Sequence, residues 1–301
     1  MPVTLEQLNA MSRADFTATL ADIFEHAPWV ADRAYARRPF ASVAALHEAM
    51  LAEVAAAPLP AVVAFLNNHP DLAGPAARRE PLTEASAREQ AIAGLDALTP
   101  EAAARLAEWN ARYRARFGFP FIICVRRHTH DSIHAEFERR LAGDPVAERR
   151  AALAEIARIT ALRLVDRVEG PGCPKVHGQL STRLIDAARG CPAAGVAVRL
   201  FVSGAGGAAR AVAEAVTDAA GRTAQPLIFG RPIPIGSYEL LCHLENYLER
   251  QHAPAAPQFL DIVPVRFRVA EPEADYHIRM LFTPSGYSVC RAVPYNAAAT
   301  A

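Results

Sequence analysis

The chain has 301 residues, more than one hydrophobic core usually organises, so its length predicts two domains. Lys and Arg together number 32, as do Asp and Glu, so the formal net charge is zero. We therefore expect neither a nucleic acid nor an anionic membrane as a partner. Hydrophobic residues make up 51% of the chain, enough for packed cores, and no apolar run reaches membrane-spanning length.

The N-terminal sequence has no basic stretch followed by an apolar stretch, so we expect no secretory signal. The five cysteines form no Cys-x-x-Cys pair and lie far apart, at Cys124, Cys173, Cys191, Cys242 and Cys290. An odd, dispersed set predicts reduced thiols in a cytoplasmic protein and argues against a zinc site.

Apolar residues recur at helical spacing as far as about Val168, which predicts a helical first half. Four polar residues are typical of helix starts: Ser12, Ser42, Thr99 and Asp144. A proline follows the last two of them, at Pro100 and Pro145. Ser12 with Asp15 resembles a capping box. The first three helices carry apolar faces of Phe16, Leu20 and Phe24, of Leu46, Met50 and Val54, and of Trp109, Tyr113 and Phe117.

His69 is the first candidate functional residue of the helical half. Pro70 disfavours helical geometry at His69, so a helix is predicted to end there and to hold the imidazole at its end. A histidine in such a place can exchange protons near neutral pH. Taken alone, the segment fits a surface or capping histidine better than a catalytic one.

Two further places in this half suggest a polar site. Ser86 and Glu89 share a helix face at a spacing of three, although Ser86 as a helix cap closed by Glu89 is an alternative. Arg163 lies on the apolar face of Ile156 and Ile159, where either an anion clamp or an ordinary ion pair would explain it. Between these places, Gly118 and Pro120 interrupt an apolar run, so its backbone groups are candidates for binding a ligand.

In combination, these segments resemble the OHCU decarboxylase family over roughly residues 5–168. The matching text is FLNNHPDLAG (65–74), SAREQA (86–91), WNARY (109–113) leading into FGFPFIICVR (117–126), then 134–140 and the Arg163-Leu164 pair. The resemblance implies a helical domain, often dimeric, that decarboxylates 2-oxo-4-hydroxy-4-carboxy-5-ureidoimidazoline (OHCU) to S-allantoin without a metal or organic cofactor. It also implies catalytic roles for His69, Ser86, Glu89 and Arg163, and substrate contacts at Pro70, Gln90, Phe121 and Ile122.

After a helix-breaking linker at Glu169–Pro174, the apolar period becomes two. Short alternating runs separated by turns predict an antiparallel β-sandwich, although a strand passing into a helix is open for Tyr238–Arg250. The segment Gly204–Ala209 is predicted to be a loop. The expected organisation is a helical domain over 1–168, a linker over 169–177 and an all-β domain over 178–301.

The β half resembles transthyretin-like proteins over about residues 178–294. The resemblance rests on the segments QLSTRLID (179–186), GCPAAGV (190–196), TDAAGR (217–222), YHI (276–278) and TPSGYS (283–288). Enzymes of this family hydrolyse 5-hydroxyisourate, the step before OHCU decarboxylation. The resemblance implies a tetramer with sites at subunit interfaces, and hence a homo-oligomeric chain acting on small molecules.

Two departures from the hydrolase pattern stand out. Arg183 replaces the histidine of the family's LSTH, and Val293 stands where the family ends in serine; Arg222, His277 and Arg291 are retained. Arginine stays protonated and cannot activate water, although His277, on the strand face of Arg279, remains a candidate base. We expect a remnant site that is inactive or impaired; an altered working hydrolase and a new ligand site are alternatives.

The sequence leaves two alternative functions open for the whole chain. One is a bifunctional allantoin synthase that catalyses both steps, and the other is a binding or assembly protein in which both domains have lost catalysis. Joint retention of His69, Ser86, Glu89 and Arg163 favours an enzyme.

Overall fold

The structure is a computed structural model that describes residues 2–73, 83–92, 95, 98–204, 209–251 and 259–292. Two compact units divide the chain. The first comprises Met1–Arg126 with Ile133–Val176, and the second comprises Arg127–Ser132 with His177–Ala301. The first unit is helical and the second consists mainly of strands, as predicted from the two apolar periods.

Helices dominate the first unit. They are α1 (Leu5–Ala10), α2 (Arg13–Leu20), α3 (Pro28–Ala34), α4 (Val43–Ala55), α5 (Leu59–Asn67), α6 (Glu84–Ile92), α7 (Pro100–Phe117), α8 (His130–Leu141) and α9 (Pro145–Arg167). Short 3-10 turns lie at Tyr35–Arg37 and Val125–Arg127. A single cluster of buried apolar side chains, from Leu5 to Val168, joins these helices.

The predicted helix starts are confirmed. Ser12, Ser42, Thr99 and Asp144 are the N-caps of α2, α4, α7 and α9, and each side chain accepts a backbone N–H of the first turn. Gly118 ends α7 at φ 78°, a left-handed conformation that favours glycine. The prediction that Phe16, Leu20 and Phe24 share one helix face is wrong for Phe24. Helix α2 ends at Leu20, and Phe24 is buried but lies in the turn that follows.

The start of the predicted linker is ordered within the first unit. Strand β1 (Val3–Thr4) pairs in parallel with β2 (Val168–Glu169). The carbonyls of Pro171 and Gly172 then accept the backbone N–H groups of Val43 and Ala44. These bonds satisfy two donors at the start of α4, which a helix cannot satisfy internally.

Two four-stranded sheets form the second unit around their own core. Their strands are β3 (Leu180–Asp186), β4 (Cys191–Pro192), β5 (Ala197–Ser203), β6 (Ala209–Val216), β7 (Gly236–His243), β8 (Ile262–Val269), β9 (Tyr276–Thr283) and β10 (Gly286–Ala292). The sheet orders are β10-β9-β3-β4 and β6-β5-β7-β8. The predicted sandwich is confirmed, but it is not wholly antiparallel, because β3 pairs with β9 in parallel.

The ambiguous segment Tyr238–Arg250 contains both elements: β7 passes into helix α10 (Glu245–Gln251). Most of the predicted loop Gly204–Ala209 lies outside the described residues. Among the described helices, none alone is long and apolar enough to cross a membrane; α4 and α5 meet that test only together, across a 114° bend.

Candidate active site

A cavity of about 40 Å³ in the helical unit gathers every residue that the sequence assigned to the decarboxylase site. Its lining comprises those eight side chains, His69, Pro70, Ser86, Glu89, Gln90, Phe121, Ile122 and Arg163, together with Leu72, Ile123, Val125 and Ile159. Most of the wall is apolar, and the ionisable groups are concentrated at Glu89, Arg163 and His69. Apolar walls with a few convergent polar groups are typical of small-molecule sites.

His69 lies just beyond the end of α5, as predicted. Its backbone N–H donates to the carbonyl of Leu66, and its ring packs edge-on against Phe65 at 5.5 Å between centroids. The Nδ1 atom is buried, and backbone groups of Phe65 and Leu66 favour the protonated ring. The residue as a whole lines the cavity, so its ring is available to a bound molecule.

Burial lowers the pKa of His69 to about 4, and the Arg163 charge acts in the same direction, while Glu25 opposes both. The imidazole is therefore neutral at pH 7. A neutral imidazole can accept a proton, which is what a general base must do.

Helix α6 positions the second group of side chains. Thr83, directly before the helix, accepts the backbone N–H of Ser86, so Thr83 is the cap and the alternative reading of Ser86 as a cap is wrong. Ser86 and Glu89 face inward from the first turns, and the Gln90 side chain accepts the backbone N–H of Ala73 at 3.0 Å. Gln90 thereby ties α6 to the loop that carries His69.

Arg163, near the C-terminal end of α9, has the most partners in the polar cluster. Its guanidinium contacts both Glu89 carboxylate oxygens at 3.0 and 2.9 Å and the Ser86 hydroxyl at 3.1 Å. Of the two alternatives that the sequence left open for Arg163, the structure shows the ion pair, and this pair lines the cavity. Burial opposes the charge of Arg163, but the Glu89 and Glu25 carboxylates outweigh it and raise its pKa.

Glu25 is a member of this cluster that the sequence reasoning missed. The side chain is 1% exposed. Its carboxylate contacts Arg163 Nη1 at 3.0 Å and accepts hydrogen bonds from the hydroxyls of Ser86 and Thr83 at 2.9 and 2.8 Å. Burial tends to raise the pKa of Glu25, but Arg163 and the two hydroxyls hold it below its ordinary value. An acid between Phe24 and His26 in an otherwise apolar turn was the available signal.

Buried polar groups also hold the backbone that carries Phe121 and Ile122. Arg140 donates to the Ile122 carbonyl at 2.8 Å and pairs with Glu148, which also accepts a hydrogen bond from the Tyr113 hydroxyl. Both members of the ion pair are at most 3% exposed. The sequence predicted that backbone groups of this segment are available to a ligand. One of them, the Ile122 carbonyl, already accepts a hydrogen bond from Arg140.

A second cavity, of about 210 Å³, is also lined by Arg163 and Glu89. Its other charged side chains are Asp22, Arg88, Arg126, Asp166 and Arg167. The ion pair thus lines both a small, largely apolar cavity and a larger charged one.

The structure brings together three of the four predicted remnant-site residues of the β unit. Arg183 on β3 lies beside Arg222, and His277 on β9 is the register partner of Ser181. Arg291 is not among them: it pairs with Ile278 and lies over the Tyr276 ring at 4.0 Å, on the other face of the sheet. Val293 lies outside the described residues.

His277 does share the face of Arg279, as predicted, yet it is only 1% exposed, which the sequence did not indicate. Its Nδ1 lies 2.9 Å from the Ser181 hydroxyl. Burial lowers the pKa of His277, and the charges of Arg222, Arg279 and Arg183 lower it further.

Comparison with known proteins agrees with this architecture. Residues 9–165 match the family described as OHCU decarboxylase, and residues 180–292 match the HIUase/Transthyretin family. The chain belongs to the OHCU decarboxylase family and is a decarboxylase fused to a transthyretin-like domain.

Individual relatives support both parts of that statement. The chain is 40% identical over 165 residues to the 2-oxo-4-hydroxy-4-carboxy-5-ureidoimidazoline decarboxylase of Haloferax volcanii, covering 55% of this chain and 96% of that one. It is 36% identical over 176 residues to the enzyme of the same name from Amia calva, covering 58% and 99%. A crystal structure of (S)-allantoin synthase covers 97% of this chain and 100% of its own, with 26% identity and a TM-score of 0.50.

Proposed function

We propose that the helical unit converts OHCU to S-allantoin in urate degradation, with its own side chains as the only catalysts. The observation that carries the proposal is that neutral His69 lines the same cavity as the Arg163–Glu89–Ser86 cluster. A base beside a fixed cation suits the loss of CO2 from an anionic substrate.

The chemistry follows from charge. Breaking the carbon–carboxylate bond releases CO2 and leaves an electron pair that the ring carbonyl and imine groups can delocalise. Hydrogen-bond donors from Arg163 and Ser86 stabilise that charge in a low-dielectric cavity, where they are stronger than in water. His69 takes the proton of the substrate hydroxyl or returns a proton to carbon. Protonation on one face yields a single enantiomer.

We infer that Glu89 acts through Arg163. Its two oxygens contact the Arg163 guanidinium rather than the His69 ring. Glu89 therefore orients the arginine fork, and a substrate carboxylate that binds the same fork competes with it.

For the β unit we propose a structural role in assembly, with hydroxyisourate hydrolysis lost. Arg183 stands where hydrolases have histidine, and it remains protonated at ordinary pH. Transthyretin-like domains form symmetric oligomers, so a homo-oligomer of the whole chain is expected, with helical-domain dimers joined through β-domain tetramers. The mass of the full chain in solution tests this role: a dimer of dimers supports it and a monomer overturns it.

Matched carboxyl-to-amide changes on one helix test the decarboxylase proposal. Glu89→Gln removes the charge that holds Arg163, whereas Glu84→Gln changes an exposed acid of the same helix α6. We expect kcat/KM for OHCU to fall by roughly 100-fold in Glu89→Gln, because a misplaced cation no longer meets the developing charge, and to stay within a factor of two in Glu84→Gln.

His69→Ala completes this experiment. It should abolish turnover while the circular-dichroism spectrum and the oligomer mass stay unchanged. Full activity of His69→Ala would overturn the proposed chemistry. Full activity of both His69→Ala and Glu89→Gln would place the reaction at another site, and no activity of the parent chain would favour the alternative of a binding protein.

A further inference from the structure

The larger charged cavity, of about 210 Å³, adjoins the decarboxylase cavity along helix α6. Ser86 and Gln90 line the decarboxylase cavity, whereas Ala85 and Arg88 line the charged one. Consecutive residues of a helix are about 100° apart around its axis, so these two pairs lie on neighbouring faces of α6. Glu89 lies between the two faces and lines both cavities.

Helix α9 and the turn at residues 125–126 are divided between the cavities in the same way. On α9, Ile159 lines the decarboxylase cavity, Asp166 lines the charged cavity, and Arg163 lines both. In the turn, Val125 lines the decarboxylase cavity and its neighbour Arg126 lines the charged one. The two cavities are therefore neighbours along three elements, and they share the ion pair of Arg163.

The lining of the charged cavity reaches the surface of the helical unit. Its residues Asp22, Arg88 and Asp166 are exposed. By contrast, each residue that lines the decarboxylase cavity is buried or half-buried. A molecule that enters the charged cavity from solvent therefore reaches the ion pair that also lines the decarboxylase cavity.

Arginines outnumber carboxylates in the charged cavity. Four guanidiniums and three carboxylates line it: Arg88, Arg126, Arg163 and Arg167, with Asp22, Glu89 and Asp166. Three of the arginines each form an ion pair with one of the carboxylates. Arg88 is the fourth, and within the described ranges its side chain forms no ion pair. One exposed guanidinium is therefore available to an anion that arrives from solvent.

We propose that the charged cavity is the entrance to the decarboxylase cavity and that Arg88 binds the carboxylate of the arriving substrate. This inference rests on the proposed decarboxylation of OHCU. That reaction turns an anion into a neutral product, because the carboxylate leaves as CO2 and a proton takes its place. An excess positive charge at the entrance therefore attracts the substrate without retaining the product.

The residues of the entrance suit a carboxylate in particular. The planar guanidinium of Arg88 can donate two parallel hydrogen bonds to the two oxygens of a carboxylate. Arg163 offers the same group further in, where both cavities meet. A carboxylate that leaves Arg88 can thus be received by Arg163, which the proposed mechanism places beside the developing charge.

Arg88→Gln tests this role in the full chain with OHCU as the substrate. We expect kcat/KM to fall about fivefold at about 20 mM salt and to come within a factor of two of the parent at about 500 mM salt, because dissolved ions screen an exposed charge. The loss should appear in KM and leave kcat unchanged, since Arg88 does not line the decarboxylase cavity. Arg88→Lys keeps the charge and should restore most of the loss.

Arg112→Gln is the matched control. It removes the same charge from an exposed position of helix α7 that lines neither cavity. Its kcat/KM should equal that of the parent at both salt concentrations. A loss in Arg112→Gln as large as that in Arg88→Gln would overturn the entrance, because the net charge of the chain would then explain the effect.

Inhibition by allantoin separates an effect of charge from a change of shape. The product has no carboxylate, so its inhibition constant should be equal in the parent and in Arg88→Gln. A higher inhibition constant in Arg88→Gln would overturn the binding of the carboxylate by Arg88. An unchanged kcat/KM in Arg88→Gln, or a loss that is the same at both salt concentrations, would overturn the entrance while the decarboxylase proposal stands. No turnover of OHCU by the parent would overturn the proposed function and this inference with it.

Discussion

Glu25 shows at the scale of single residues why the candidate site was only partly predictable. Its partner Arg163 is 138 positions away along the chain, so no local pattern pairs them. His69, Ser86, Glu89 and Arg163 were found because a family resemblance tied four separate motifs together. Spacing alone left each of them with an ordinary structural explanation.

Glu25→Gln tests whether this residue positions the catalytic cluster. We expect kcat/KM for OHCU to fall on the order of 100-fold, because Arg163 and Ser86 both lose an anionic partner. Since Glu25 raises the pKa of His69, the acid limb of the kcat/KM profile should also move to lower pH.

Phe16→Leu is the control, because it destabilises the core of α2, away from the cavity. If both variants lose activity to a similar extent and the acid limb of the kcat/KM profile stays at the same pH in both, Glu25 only stabilises the fold.

Buried histidines predict an acid-sensitive fold. Burial lowers the pKa of both His69 and His47 to about 4 from an ordinary value near 6.5. Between these pH values the unfolded chain binds protons that the folded chain does not, so stability is lost as the pH falls from 6.5 to 4. Each histidine contributes on the order of 3 kcal/mol across the whole window.

Urea unfolding at pH 7.0 and 5.0 measures this loss. His47→Gln is the informative variant, because His47 contacts the Thr160 hydroxyl at 2.8 Å outside the catalytic cavity. The variant should lose less stability between the two pH values than the parent. Equal free energies of unfolding at both pH values in the parent would contradict the neutral state assigned to the histidines.

At the scale of elements, the sequence predicted helix starts better than helix ends. A capping side chain acts within three residues, so Ser12, Ser42, Thr99 and Asp144 could be recognised from their neighbours alone. The end of α2 at Leu20 depends on tertiary packing of Phe24 and had no local stop signal. The parallel pairing of β3 with β9 joins segments about 96 residues apart, which periodicity does not encode.

The ion pair between Arg140 on α8 and Glu148 on α9 holds the backbone at Ile122 in place. Arg140→Met leaves Glu148 buried with only the Tyr113 hydroxyl, so the free energy of unfolding should fall by about 3 kcal/mol. The double variant Arg140→Met/Glu148→Leu should recover most of that loss, because an apolar pair needs no compensating charge.

Chemical denaturation of the parent, of these two variants and of the single variant Glu148→Leu gives the double-mutant cycle. KM for OHCU should rise in both variants, because the Ile122 carbonyl has lost its donor. Additive destabilisation in the double variant would contradict the assigned coupling.

At the scale of the whole molecule, the chain joins two domains whose families act on successive intermediates. The two apolar periods predicted both domains, and the residues that differ from the hydrolase pattern predicted an altered second site. The sequence placed Arg279 on the face of His277 but did not indicate that Arg291 lies on the other face, because that depends on strand register. The boundaries 1–168, 169–177 and 178–301 stay predictions.

We propose that the chain is a working decarboxylase joined to a β domain without hydrolase activity. The most direct measurement supplies the full chain with urate and urate oxidase, with and without a separate hydroxyisourate hydrolase, and follows optically active allantoin by circular dichroism. We predict that the chain accelerates the chiral signal only when the separate hydrolase is present. A fast signal without that hydrolase would contradict the loss of hydrolysis, and no acceleration in either case would contradict the decarboxylase itself.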